Sequence, residues 1–148
     1  MLIHGLPVPA ALLELLDGGL WPRTPSEAMK QNLHCLVSAD RIREFAPEED
    51  RIYLYAPPFA RIADGIANEG DSRFYSTYCA THQLVPELTL DIADFGLGSD
   101  APIVLDYQFD RTNPRVIRLR WDSESRGRNN RWVECADNFE QFAALLFG

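Results

Sequence analysis

The sequence lacks long apolar runs, and this absence excludes a membrane-spanning helix. Such a helix needs about 20 consecutive apolar residues, whereas the longest apolar runs of this 148-residue chain are much shorter. The apolar N-terminal segment has no leading positive charges and is interrupted by Pro7 and Pro9. We therefore interpret it as the first helix of the fold and not as a signal peptide.

Cysteine and histidine are scarce, with three residues of each type. Cys35, Cys79 and Cys135 lie at wide, irregular spacing, which suits neither a disulfide framework nor closely paired metal ligands. The histidines are also scattered and lack the spacing of a zinc site. The pattern favours structural thiols in a reducing cytoplasm, and it predicts neither a metal nor another cofactor.

Basic residues are fewer than acidic ones, 14 against 22, so the formal net charge is −8. An acidic surface repels phosphates, which argues against nucleic acid as a partner, but it suits a basic protein. Seven arginines nevertheless lie between Arg111 and Arg131. The simplest interpretation is a solvated hairpin face whose arginines pair with carboxylates across the sheet.

Motifs for catalysis are also absent from the sequence. Gly96-Leu97-Gly98 follows an apolar run but lacks the third glycine of a dinucleotide-binding turn, so we interpret it as a tight strand-to-strand connection. Asp94, Asp100 and Asp106 are six residues apart, which favours turn capping by Asp100 and a cross-strand pair of Asp106 with Arg118 or Arg120. No serine lies in a G-x-S-x-G elbow. We therefore predict no catalytic residue and no enzymatic activity.

Capping residues and apolar periodicity predict several helices. Three of them cover residues 8–16, 40–45 and 59–68. Another begins at the capping box Thr24-Pro25-Ser26-Glu27 and includes Leu33 and Leu36. The final helix is capped by Asp137 and Glu140, and its buried stripe is Phe139, Phe142, Ala143 and Leu146. The aromatic segment 74–85 is compatible with a strand or a buried helix.

Alternating apolar residues predict strands over residues 51–55, 88–95, 103–109 and 116–121, with a further strand after a polar hairpin tip at 123–130. The turn Thr112-Asn113-Pro114 predicts an antiparallel return. Ile103, Leu105, Ile117, Leu119 and Trp121 are expected to supply the core, with Tyr107 and Phe109 on the same face as Ile103. Trp132 is a candidate for exposure.

Candidate partner-binding residues are aromatic or charged. Tyrosine is common at binding hot spots, and the strand at 51–55 places Tyr53 and Tyr55 on one face, with Ile52 and Leu54 on the other. The full candidate set is Glu48, Glu49 and Asp50 beside this strand, Tyr53 and Tyr55 on it, and Arg126 and Arg128 at the hairpin tip.

The run IADFGLGSDAPIVLDYQ, followed by NPRVIRLRW and NRWVECADNFEQF, resembles the SUKH superfamily. Upstream, LPVPAALLELLDGG, LWPRT and RIYLYAPPFARIA extend the resemblance over nearly the whole chain. It implies an α+β fold in which a mainly antiparallel sheet packs against helices, with residues 1–148 as a single domain. The matching residues are expected to define the fold: Gly96, Gly98, Ser99, Asp100, Leu105, Asp106 and Trp132.

The resemblance also implies a non-enzymatic function. Proteins of this superfamily include bacterial immunity proteins that neutralise cognate toxins, many of them nucleases, and a fungal regulator of cell-wall synthesis. The leading hypothesis is therefore an immunity protein whose acidic surface blocks a basic toxin. The alternatives are a regulatory scaffold for an endogenous protein and an enzyme acting on a small ligand. Partner specificity is expected in residues 74–84 and 126–131, where the chain departs from the family pattern.

Overall fold

The structure is a computed structural model that describes residues 1–95, 100–121 and 130–148. The predicted turn at Gly96-Leu97-Gly98 and two of the candidate partner-binding residues, Arg126 and Arg128, lie outside the described residues. None of the described helices is both long and apolar enough to cross a membrane.

The described elements are short helices and strands, with the last four strands consecutive in the chain. The helices are α1 (Ala10–Asp17), α2 (Pro25–Met29), α3 (Ala39–Phe45), α4 (Ile62–Asn68) and α5 (Phe139–Phe147). The strands are β1 (Leu2–Ile3), β2 (Leu6–Pro7), β3 (Tyr53–Leu54), β4 (Thr89–Asp94), β5 (Pro102–Asp106), β6 (Arg115–Trp121) and β7 (Asn130–Ala136). Short 3₁₀ helices cover Lys30–Asn32 and Pro86–Leu88, and a π-helical turn covers Tyr75–Cys79.

Strands β3 to β7 form an antiparallel sheet in the order β3-β4-β5-β6-β7, and β1 pairs with β2 in a separate hairpin. The predicted α+β fold, with a mainly antiparallel sheet packed against helices, is confirmed. The segment 74–85, which was compatible with a strand or a buried helix, contains the π-helical turn.

Both faces of the sheet are covered, each by its own group of buried side chains. Ile103 and Leu105 pack toward α1, α3 and α5 on one face. Val104, Ile117 and Leu119 pack toward α4 and the π-helical turn on the other. Every residue of β5 is therefore buried.

The prediction that Ile103 and Leu105 share a face with Ile117 and Leu119 is wrong. The register pairs Ile103 with Arg118 and Leu105 with Val116, so Ile117 lies opposite Val104. A one-residue difference in register moves a whole set of side chains to the other face of the sheet. Because this sheet is covered on both faces, the sequence has no polar face from which the register could be predicted.

Three aromatic side chains differ from their predicted exposure. Trp132 is buried, and its Nε1 donates to the Cys79 carbonyl at 2.9 Å. Trp121 is half-buried, and its Nε1 donates to the Asp100 carbonyl at 2.9 Å. Phe109 is exposed because β5 ends at Asp106, before the predicted strand end.

Several helix boundaries also differ from the prediction. Helix α1 begins at Ala10 and α4 at Ile62, later than the predicted residues 8 and 59. Helix α2 ends at Met29, which leaves Leu33 and Leu36 exposed. At α5 the N-cap is Asn138, one residue after the predicted Asp137: the Asn138 Oδ1 accepts from the Gln141 amide at 2.9 Å. The predicted apolar stripe of α5 is confirmed, because Phe139, Phe142 and Leu146 are buried and Ala143 is partly buried.

A glutamine side chain caps each edge strand of the five-stranded sheet. On β3, the Gln31 carboxamide accepts from Leu54 N and donates to Leu54 O, both at 2.8 Å. On β7, the Gln83 carboxamide accepts from Trp132 N at 2.9 Å and donates to Trp132 O at 3.0 Å. Each carboxamide takes the place of a peptide group from a neighbouring strand, so another chain cannot add a strand at these points.

Candidate functional site

A pocket of about 370 Å³ opens beside the edge strand β3. Its walls come from α2, β3, the loop at residues 56–60, the π-helical turn and β4. The lining is mostly apolar or aromatic, and it consists of Pro25, Ala28, Met29, Tyr53, Tyr55, Ala56, Pro58, Phe59, Ala60, Tyr75 and Asp91. The pocket therefore contains two of the candidate partner-binding residues, Tyr53 and Tyr55.

Strand alternation directs Tyr53 and Tyr55 to the pocket. Ile52 and Leu54 are buried in the core, as predicted. Tyr53 and Tyr55, which point to the other face, are half-buried. Their ring centroids are 5.8 Å apart with the planes at 62°. The Tyr55 backbone is held on both sides, because Tyr55 N donates to Ile92 O at 2.9 Å and Trp21 Nε1 donates to Tyr55 O at 2.8 Å.

The α2 wall is joined to this strand by Gln31. Besides capping Leu54, the Gln31 Nε2 donates to the Ala28 carbonyl at 2.9 Å, and Gln31 is only 2% exposed. Arg51 adds a second connection by donating to the Gln31 carbonyl at 2.9 Å. The distance between the α2 wall and the tyrosine wall is therefore set by buried hydrogen bonds.

Tyr75 reaches the pocket from the π-helical turn because Gly65 of α4 leaves space for its ring. A Cβ atom at Gly65 would lie 2.7 Å from the Cγ and Cδ1 atoms of Tyr75, too close for any real contact. The ring therefore rests directly on the backbone of α4. Phe74 packs edge-on against Tyr75, with ring centroids 5.2 Å apart.

The single carboxyl group in the lining is that of Asp91 on β4. Its backbone N donates to Ala60 O at 2.7 Å, which ties β4 to the loop that forms the opposite wall. A register irregularity in the pairing with β5 lies between Asp91 and Ala93. The residue is partly exposed through the pocket, but its Oδ1 is buried and finds no hydrogen-bond partner within the described part of the chain.

Burial raises the pKa of Asp91 well above its ordinary value, and the neighbouring Asp94 carboxylate raises it further. The pKa of Tyr55 is also raised, first by burial and then by the Asp91 and Asp94 carboxylates. Burial and then Asp91 raise the pKa of Tyr75 to about 12. No lysine, arginine or histidine is among the lining residues, so the lining supplies no positive charge to balance Asp91.

The acidic run beside β3 is only partly available to a partner. Glu48 forms ion pairs with Arg118, which is 4% exposed, and with Arg120 at 3.9 Å. Burial is the largest single influence and raises the pKa of Glu48, but the hydrogen bond from Arg118, a backbone hydrogen bond and the charges of Arg118 and Arg120 together outweigh it, so the pKa lies below its ordinary value. The Glu48 carboxylate is therefore engaged in ion pairs within the protein. Glu49 is half-buried, and Asp50 is exposed.

The arginine pairing across the sheet differs in detail from the prediction. Asp106 pairs with Arg115 at 2.8 Å, and not with Arg118 or Arg120, because the register places it opposite Arg115. The expected pairing with a carboxylate across the sheet is confirmed for Arg115. Arg118, which is buried and not solvated, and Arg120 pair instead with Glu48 in the loop before β3.

Asp91 and Tyr75 were missed as site residues. Alternation around Leu90 and Ile92 places Asp91 on the face opposite the main core, which the sequence suggests is solvent-exposed. One signal was present: the predicted helix at 59–68 and the aromatic segment 74–85 both need a sheet face to pack on. That face is the one that carries Asp91, and it becomes buried once these segments cover it.

Within the described residues, no three histidine, cysteine, aspartate or glutamate side chains converge as metal ligands. Comparison with known proteins finds no matching family model, no matching curated protein and no matching solved structure. The pocket is therefore interpreted from its own chemistry.

Proposed function

We propose that this chain is a non-enzymatic protein-binding domain, an immunity protein that binds and neutralises a basic bacterial toxin in the cytoplasm. The observation that supports this best is the pocket beside β3, which combines half-buried tyrosines with a carboxyl that no basic residue of the lining balances. Protein hot spots are built from such aromatic groups around a site that becomes fully desolvated on binding.

The rim of the pocket suits contact with another protein. Met29 is 62% exposed, and Pro25, Pro58 and Ala60 are also exposed, so an apolar rim surrounds the half-buried tyrosines. Because the edge of β3 is capped by Gln31 at Leu54, the partner binds through side chains in the pocket and not by adding a strand there.

The charge of the molecule favours a basic partner. The net charge is −8, and Asp94 interacts electrostatically with both Asp91 in the pocket and Glu49 in the loop before β3. Burial and then neighbouring carboxylates, one of which is Asp94, raise the pKa of Glu49. Burial and then Asp94 raise the pKa of Asp91. These acids therefore act on one another electrostatically. A basic partner would relieve this repulsion and would be attracted over a distance at low salt.

Co-expression with any toxin domain found among the neighbouring genes tests the proposal, and an isolated locus would favour the regulatory scaffold. The wild-type chain should restore growth and should capture the toxin, with capture weakening as salt rises. Tyr53→Ser should lose both properties, whereas Phe109→Ser, which removes an exposed aromatic beyond the far end of β5, should retain them. Equal activity of the two variants would reject the pocket as the contact surface, and absence of any complex at low salt would reject the immunity function. Capture of an endogenous housekeeping protein instead would favour the regulatory scaffold.

A small-ligand site is the second candidate, and one observation favours it. The volume of about 370 Å³ lies within the range of known ligand pockets, and a buried carboxyl with a raised pKa is common at functional sites. Under this alternative the growth protection and toxin capture would both be absent, while the pocket would still bind a low-molecular-weight compound.

A further inference from the structure

We propose that the pocket beside β3 binds an organic ammonium ion, held between the rings of Tyr53, Tyr55 and Tyr75 and the carboxylate of Asp91. In the complex with a protein partner, this ion is the side chain of a lysine of that partner. Binding of the ammonium ion depends on the pocket alone, whereas its assignment to a lysine rests on the proposed function.

The aromatic walls supply the first part of the recognition. Tyr53, Tyr55 and Tyr75 come from two separate elements and line the same cavity. The face of a tyrosine ring carries partial negative charge and attracts a cation, most strongly where water is excluded. Arg115 and Phe109 elsewhere in this chain show the same kind of contact, with the guanidinium 4.9 Å from the ring centroid.

The Asp91 carboxyl supplies the second part. Its Oδ1 is buried and has no hydrogen-bond partner among the described residues. An ionised carboxylate only accepts hydrogen bonds, so the group that satisfies it must be a donor. Leaving a buried polar atom unpaired is costly, and a cationic donor in the pocket would remove this cost and balance the charge together.

The lining also discriminates among ligands. An anion would meet the Asp91 carboxyl without any basic residue in the lining to offset it. A planar guanidinium is best recognised when its two parallel N–H donors are aligned with both oxygens of a carboxylate. An ammonium group is a compact point charge with rotatable donors on a flexible apolar stem, so it can reach the one carboxyl of this aromatic lining without that alignment.

Binding of a cation is coupled to release of a proton. The titratable groups that interact with Asp91 are Asp94 on its own strand, Tyr55 just after β3, and Tyr75 and Cys79 of the π-helical turn. In the free protein the Asp91 acid stays protonated to a higher pH than an exposed aspartate. Since the ammonium ion pairs with the ionised form, its affinity should rise with pH, by up to about tenfold per pH unit below the pKa of Asp91 in the free protein.

Titration of the whole chain with n-butylammonium, followed by amide NMR shifts, tests the inference. We expect saturable binding, with n-butanol of similar size binding more weakly. Asp91→Asn should weaken the affinity by about tenfold or more, because the charge-assisted hydrogen bond is lost. Tyr75→Leu should weaken it by about two- to fivefold, because the cation–π contact is lost while apolar volume is kept. Phe109→Leu, outside the pocket, should bind as the wild type does.

Several results would overturn the inference. These are the absence of saturation, equal binding of n-butanol and n-butylammonium, unchanged affinity in Asp91→Asn, or affinity that does not rise with pH. The amide spectrum of each variant shows whether the fold is intact. If Asp91→Asn does not fold, the n-butanol comparison and the pH profile of the wild type decide the matter.

The source of the ammonium group is tested separately. If a lysine enters the pocket, Asp91→Asn should capture the toxin more weakly, and n-butylammonium should compete with the toxin. Retained capture by this variant, together with n-butylammonium binding by the wild type, would mean that the pocket takes a free amine and would overturn the lysine assignment. Ammonium binding without any toxin complex would reject the proposed function alone, and toxin capture without ammonium binding would reject this inference alone.

Discussion

Asp91→Asn should make the protein more stable at neutral and alkaline pH. Asparagine has nearly the same shape as aspartic acid, so the change removes the ionisation of the buried group and little else. Burial, and then the Asp94 carboxylate, raise the pKa of Asp91 in the folded protein. In the unfolded chain the same acid ionises near its ordinary pKa of about 3.9.

The sign of the pH effect follows from this difference. Below the unfolded pKa the acid is protonated in both states, so its contribution to stability is fully present. As the pH rises, the unfolded chain releases its proton first, and the free energy of unfolding falls by about 1.4 kcal/mol per pH unit until the folded pKa is passed. Asp91→Asn has no such acid, so its stability advantage should begin just above the unfolded pKa and widen with pH.

Urea unfolding, followed by tryptophan fluorescence, measures this difference. The experiment runs from just above pH 4 to about pH 8, and only the difference between wild type and variant is interpreted, because other groups titrate in both. Asp71→Asn, at an exposed position, is the matched control for loss of one negative charge. Parallel stability curves for wild type and Asp91→Asn, or a variant that is less stable at the alkaline end, would refute the reasoning about the buried carboxyl.

Further substitutions test the elements that position the pocket and the ion pair beside it. Gln31→Leu should lower the free energy of unfolding by about 3 kcal/mol, because two backbone groups of the edge strand lose their buried partner; urea unfolding checks this, and a loss below about 1 kcal/mol would contradict it. Gly65→Ala should destabilise by about 1–3 kcal/mol, because the new Cβ forces the Tyr75 ring away, and the same NMR titration should show weaker n-butylammonium binding. Glu48→Gln should cost about 2 kcal/mol at neutral pH, because Arg118 loses its counter-charge. Urea unfolding at falling pH should show this cost shrinking as the wild-type Glu48, with its lowered pKa, becomes protonated.

Local signals in the sequence account for much of the fold. The Thr24 hydroxyl accepts from the Glu27 amide at 3.2 Å at the start of α2, as the capping pattern predicts. The turn at Thr112-Asn113-Pro114 joins two antiparallel strands. Turn residues, helix caps and apolar periodicity each depend on a few neighbouring residues, so they can be read without knowledge of the rest of the chain.

The side of the sheet on which a residue lies could not be read in this way. Ile103 and Ile117 both alternate correctly within their strands but lie on opposite faces, because the register depends on pairing between strands. The exposure of Trp132 was mispredicted for the related reason that β7 is covered by a distant segment, the π-helical turn that ends at Cys79.

The candidate site shows the same division. The sequence by itself determined that Tyr53 and Tyr55 share one face of a strand, because that depends only on alternation, and it determined the acidic balance of the chain. Only the tertiary structure decided that Glu48 is engaged by Arg118, 70 residues away, and that Tyr75 and Asp91 join the tyrosines around one cavity. These contacts join residues far apart in the chain, and burial then sets the chemistry of Asp91: the same aspartate on an exposed strand would be an ordinary solvated charge.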